Sequence, residues 1–243
     1  MFLSSNPIFT YIANRDFAGL AIYLLALLLA MCIAVSFHEW AHAFVAYKLG
    51  DPTAKNMGRM TIDPTKHFTF AGLLCFLFFR VGFAKPVIVN SKNLKNFRRD
   101  DALISVAGVV MNIIMAFLAY GILFFVLYFK YDFPVKDIPD YVLIFSALSS
   151  QMAQPYLPYI LALIFSINIS FAVFNILPVP PLDGFHLVSS IFVRKSYKVV
   201  NFLMRYGYLI LIILIFTGII SRVLSPVIMG LSSAFGWFFS LFV

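Results

Sequence analysis

Charge is scarce in this chain. Asp, Glu, Lys and Arg together make up 12% of its 243 residues, whereas 62% are hydrophobic. A soluble domain carries about 25% charged and about 45–50% apolar residues. An ordinary soluble globule is therefore excluded, because a protein of this size cannot hide so much apolar surface unless lipid covers part of it. Cysteine is nearly absent: Cys32 and Cys75 sit in apolar runs and read as small packing residues, so no disulfide framework is expected. Two Trp stand against 29 Phe, a balance that any polytopic membrane protein can show and that selects no function. Glutamate is the rarest charge, with Glu39 the only one in the chain.

The formal charge of +8 does not point to nucleic acid. Ten of the 18 Lys and Arg lie between Lys48 and Arg99, and four more between Arg194 and Arg205. These stretches separate apolar segments, where positive residues mark the cytoplasmic side of a membrane. No basic–aromatic signature accompanies them, and no nucleic-acid partner is expected.

A bilayer core of roughly 30 Å takes about 20 helical residues to cross. The run from Phe17 to Leu49 suffices and is stopped by Gly50-Asp51-Pro52. It lacks a small-residue cleavage site, so a removed signal peptide is not expected. Further spans are predicted over 102–129, over 156–193 with prolines in its middle, over 206–220 and over 226–243. Residues 141–154 read either as an outer interfacial helix or as part of another span. The loop at 130–140 has two Lys against three Asp, so the basic loops alternate with an acidic one and the first span runs inward.

The predicted class is an all-α polytopic membrane protein of about four to six transmembrane helices. It includes one proline-broken helix and a short re-entrant or interfacial β-hairpin. The hairpin is read over 72–89, where a short apolar run leads through Gly82, Lys85 and Pro86 to Val87-Ile88-Val89. One membrane-embedded domain over 1–243 is expected, without repeats or linkers. Its parts are a first core span (18–49), a cytoplasmic-side hairpin region (50–99), a second core span (102–129), a third (156–193) and C-terminal spans (206–243).

His38-Glu39-Trp40-Ala41-His42 matches H-E-x-x-H. On a helix, positions i and i+4 share a face, so two imidazoles can meet one Zn²⁺ with the carboxylate beside it as a general base. Placing Glu39 at membrane depth costs at least about 2.5–3.5 kcal/mol, which makes a functional reading the default over a structural His–Glu cluster. A catalytic zinc usually takes three protein ligands. Without a second Glu, the remaining candidates are Asp183, His186, Cys32 and Cys75.

Asp183 is the best of these because of its surroundings. Three prolines in Asn175-Ile176-Leu177-Pro178-Val179-Pro180-Pro181-Leu182-Asp183-Gly184 forbid a continuous helix. Non-helical backbone at membrane depth survives only inside protein or beside water, so this segment marks a polar cavity. A plain proline kink with a helix-capping Asp is the bland alternative. Depth agrees: His42 lies about 9 Å from Lys48 along a helix, and Asp183 about 16 Å from Arg194.

HEWAH on the first span and NILPVPPLDG on the third resemble the signature pair of the site-2 proteases, intramembrane zinc metalloproteases. The stretches 58–67, 83–87, 98–100 and 107–112 resemble compact bacterial members without PDZ or CBS domains, so the likeness covers roughly residues 30–190. It implies that His38, His42 and Asp183 bind one zinc ion and that Glu39 is the general base. Asn175 would hold substrate or stabilise the oxyanion, and Asn112 is a second candidate for that cavity. The implied partners are a transmembrane protein substrate, the lipid bilayer and a regulatory membrane partner. The implied location is a bacterial inner membrane, with the active site toward the cytoplasm. Val109 departs from a frequent Pro, and Phe185 from a frequent second Gly. His186 reads as packing or support ahead of a ligand, and His67 as an interfacial residue. A metal-binding membrane transporter is the alternative, weakened by a single broken segment where transporters often show a related pair.

Overall fold

In the computed structural model, residues 7–69, 72, 85–138, 156–192 and 197–243 are described. Among them, helix α1 spans Pro7–Ala13, α2 Phe17–Lys48, α3 Thr53–Asn56, α4 Phe97–Tyr131, α5 Tyr156–Asn175, α6 Asp183–Phe192, α7 Tyr197–Phe216 and α8 Ile219–Ser240. Five of these, α2, α4, α5, α7 and α8, are long and apolar enough to cross a membrane. Among the described residues the regular structure is all helical, and the chain is a multi-pass membrane protein. Helices α7 and α8 bury only 11% and 22% of their most apolar stretches within the protein, so lipid is their natural cover.

The spans are longer than hydropathy alone suggests. Helix α4 starts at Phe97 rather than 102, because Asp100 reaches back to cap it: its carboxylate accepts the Asn96 N–H at 2.9 Å and pairs with Arg99 at 2.9 Å. An acid in the first turn also suits the positive end of the helix dipole. Helix α7 starts at Tyr197 rather than 206, since exposed Lys and Arg end an apolar run without ending a helix. Helix α8 takes Pro226 into its interior and begins at Ile219, just past the turn that Gly218 makes at φ +71°.

The expected β-hairpin over 72–89 is not supported. Residues 73–84 lie outside the described residues, and no strand occurs among those described. Val87-Ile88-Val89 has no regular secondary structure, and the Val87 N–H goes to the Glu39 carboxylate instead of a neighbouring strand. A strand needs a backbone partner, and here a side chain takes the donor. The segment 141–154 and Cys75 also lie outside the described residues, while Cys32 is a free thiol.

The chain divides into two compact units. The first comprises Met1–Ile33, Ile114–Asn168 and Met229–Val243. Its interior is aromatic: Tyr120 meets Phe165 at 5.2 Å, and Phe117 meets Phe239 at 4.9 Å. Gly121 admits the Phe239 ring where a Cβ would stand 2.5 Å from its edge. The second unit comprises Ala34–Ile113 and Ile169–Ile228 and holds His38, Glu39, His42, Asn112, Asn175 and Asp183. Its apolar centre includes Ala46, Leu94 and Ile104, with Val45, Leu49 and Val89 against them.

Helix α5 stops at Asn175 and α6 starts at Asp183, so the break over 176–182 falls where the prolines require it. Gly184 lets the two helix ends come together, because a Cβ there would collide with the Ile176 carbonyl. Asp183 therefore sits in the first turn of α6, brought close to the end of α5.

Candidate metal centre

Helix α2 carries His38 and His42 one turn apart, and both are buried. His38 Nδ1 lies 2.6 Å from Asn112 Oδ1. The Asn112 amide cannot be turned the other way, because its Nδ2 donates to the Ala34 carbonyl at 2.9 Å. Oδ1 only accepts, so His38 carries a proton on Nδ1, and the neutral ring keeps its lone pair on Nε2. His42 Nδ1 lies 2.7 Å from the Ile104 carbonyl, which imposes the same tautomer.

Both lone pairs point at Asp183. Its Oδ2 stands 3.1 Å from His38 Nε2 and 3.3 Å from His42 Nε2, and the two nitrogens are 2.9 Å apart. With both rings neutral, three acceptor atoms converge with no proton to share among them. Such a cluster repels itself unless a cation sits within it. Tetrahedral zinc at about 2.0–2.1 Å from each ligand would separate neighbouring ligand atoms by about 3.3 Å. The three atoms, all within 4.8 Å of one another, fit a divalent ion.

The chain's only glutamate stands next to this cluster. Glu39 is buried, and its Oε2 accepts the Val87 N–H at 3.0 Å. The ring of Phe171 packs edge-on against His38 at 4.9 Å. Asn175 is buried at the end of α5, but its Nδ2 turns back to the Phe171 carbonyl at 3.0 Å. Asn112 is fully buried against His38 and Ala34. His186 pairs with Asp101 at 3.5 Å. His67 is fully buried within the protein, bonded to the Thr61 carbonyl at 2.7 Å.

Gly108 is a site residue that motif reading passed over. A Cβ there would lie 2.5 Å from His42 Nε2 and 2.6 Å from His38 Cε1, so only glycine lets α4 approach both imidazoles. The signal was present in Gly108-x-x-x-Asn112, which puts a gap and an amide on one helix face. The imidazole–amide contact yields a prediction. Asn112→Leu should weaken zinc binding by roughly 10–100-fold, the cost of losing a partner that orients a ligand. Competition with a fluorescent zinc chelator measures it, and unaltered affinity would remove Asn112 from the site.

A helical chain built for the bilayer, with an HExxH helix facing a carboxylate on a broken segment, defines a membrane metallopeptidase. Residues 26–214 match the model of Peptidase family M50, and the chain belongs to that family. It is 32% identical over 202 residues to the Bacillus subtilis (strain 168) protein named "Putative zinc metalloprotease YwhC", covering 83% of this chain and 85% of that protein. It is 22% identical over 200 residues to "Putative zinc metalloprotease Rip2" of Mycolicibacterium smegmatis, covering 80% of this chain and 66% of that protein. No solved structure matches the chain at a significant level.

Proposed function

We propose that the chain hydrolyses peptide bonds of transmembrane protein substrates inside the bilayer, in its cytoplasmic half. His38, His42 and Asp183 hold a single zinc ion, and Glu39 is the general base. The observation that carries this reading is the meeting of two imidazole nitrogens and a carboxylate oxygen beside the only glutamate. Bound zinc supplies Lewis acidity toward the scissile carbonyl and the attacking water.

The remaining work falls to side chains. Glu39 has one oxygen tied to the Val87 N–H, and its Oε1 has no hydrogen-bond partner among the described residues. That oxygen takes the proton of the attacking water and passes it to the leaving amine. Asn112 keeps His38 in the ligating tautomer, a role we favour over substrate contact. Asn175 commits one amide proton to Phe171 and retains the other for a substrate carbonyl or oxyanion.

A transmembrane helix hides its amides, so the substrate must unwind locally. The irregular residues 85–90 and the broken segment 176–182 offer backbone along which an unwound stretch can lie. Exposed Lys48, Lys55, Lys66, Lys85, Lys92, Lys95, Arg98 and Arg99 support a cytoplasmic placement for this end, and a bacterial inner membrane follows from the family resemblance. A membrane partner or prior trimming of the substrate is the proposed control. Transport is disfavoured, since both relatives are named as zinc metalloproteases.

The test uses protein reconstituted in liposomes with a single-span substrate. Cleavage should stop on chelation and return with Zn²⁺, and His38→Ala should abolish cleavage without affecting any solute flux. Cleavage that persists in chelator would overturn the metal-dependent reading, and metal uptake lost in His38→Ala would favour transport.

A further inference from the structure

Asp51 lies just past the end of α2 and is 0% exposed. Its carboxylate accepts from the Thr53 N–H at 3.1 Å, the Thr53 hydroxyl, the Asn90 N–H at 2.7 Å and Asn93 Nδ2 at 2.7 Å. Burial pushes this carboxyl up, but the donors outweigh it and hold the group below the usual carboxylate range. Among the described residues it has no ion-pair partner. A buried anion without a counter-ion is costly, so four convergent donors make a deliberate knot.

Two of those donors belong to the segment that touches Glu39. Three residues before Asn90, the Val87 N–H donates to Glu39 Oε2. Between these two points, Val89 packs against the cluster of Ala46, Leu94 and Ile104. Residues 87–93 therefore form a strap beside α2, tied to Glu39 at one end and to Asp51 at the other. Upstream, the Lys85 N–H donates to the His67 carbonyl at 2.7 Å, and Arg59 donates to the Lys85 carbonyl at 3.3 Å.

We propose that Asp51 is a positioning residue for peptide hydrolysis. By holding Asn90 and Asn93 it sets the Val87 amide against Glu39 Oε2, and this turns Oε1 toward the reacting water. The inference rests on the reading of Glu39 as general base. A glutamate has several rotatable bonds, while a base must reach its proton within about 2.6–3.2 Å. Fixing one carboxylate oxygen with a backbone donor, itself fixed at a distance, removes most of that freedom. The strap orients the base without touching substrate or metal.

The test is a double-mutant cycle on the full protein in liposomes, measuring kcat, KM, zinc content and thermal unfolding. Asp51→Asn keeps the shape but turns an NH₂ toward donors, and Val87→Pro deletes the amide proton at a residue outside any helix or strand. Each should lower kcat by roughly 10–100-fold, the scale of a catalytic group misplaced by about 1 Å, with KM and zinc content unchanged. The double variant should be no slower than the worse single one, because both remove the same contact. Val87→Ala, which keeps the amide, should lose much less than Val87→Pro.

Losses that multiply in the double variant would overturn the proposal. So would an Asp51→Asn loss that merely follows a fall in folded or zinc-loaded protein, since Asp51 would then be only structural. Glu39→Gln run in parallel separates the two levels. Full activity there sinks the base assignment, whereas inactive Glu39→Gln beside fully active Asp51→Asn sinks only the role of Asp51.

Discussion

Glu39→Gln protein is expected to bind zinc as the wild type does and to cleave about 10²–10⁴-fold more slowly, the range that general-base catalysis contributes. The substitution isolates basicity. A glutamine carbonyl can still accept the Val87 N–H, so the strap contact seen at Glu39 Oε2 has no reason to open. The imidazole tautomers are set by Asn112 and Ile104, which do not touch residue 39. What disappears is the second carboxylate oxygen as a proton acceptor. Single-turnover cleavage of a reconstituted substrate, with zinc measured on the same preparation, decides it. Wild-type turnover would refute the assignment.

Asp183→Ala is expected to strip the metal. His38 and His42 keep their Nε2 atoms 2.9 Å apart, but the two imidazoles then face each other without an anion. The carboxylate supplies the charge that offsets the ion, on the element whose position depends on the proline break. Zinc affinity should fall by more than the roughly 10–100-fold that loss of an orienting partner costs. Elemental analysis of purified wild-type and variant protein gives the answer directly. A full complement of zinc in Asp183→Ala would show that the third ligand lies elsewhere. Thermal unfolding belongs in the same experiment, because the side chain is only 20% exposed and its loss leaves a gap.

The two experiments fail in different ways. Loss of zinc explains loss of activity in Asp183→Ala, whereas Glu39→Gln must lose activity with zinc in place. Together they separate holding the ion from moving the proton.

Much of the site was legible because helical periodicity is local. His38 and His42 share a face by spacing alone, and three prolines must interrupt 176–182 whatever surrounds them. The ends of the spans were less legible. Hydropathy registers the charges at 97–101 and 197–205 as breaks, while the backbone runs through them as helix. The hairpin finds no support among the described residues: β-branched Val87-Ile88-Val89 suits a strand, but nothing in those residues says that a donor there meets a carboxylate. Gly108 stayed hidden because a missing Cβ matters only when another helix comes near it.

From its sequence this protein was bound to be helical and membrane-embedded, with an imidazole pair and a carboxylate beside it, because those properties follow from composition, short-range spacing and proline chemistry. Only the tertiary structure decided that Asp183 meets the imidazoles, that Asn112 turns to His38, and that a strap from Asp51 reaches Glu39. Such contacts join residues far apart in the chain, and their distances depend on how helices pack rather than on any local pattern.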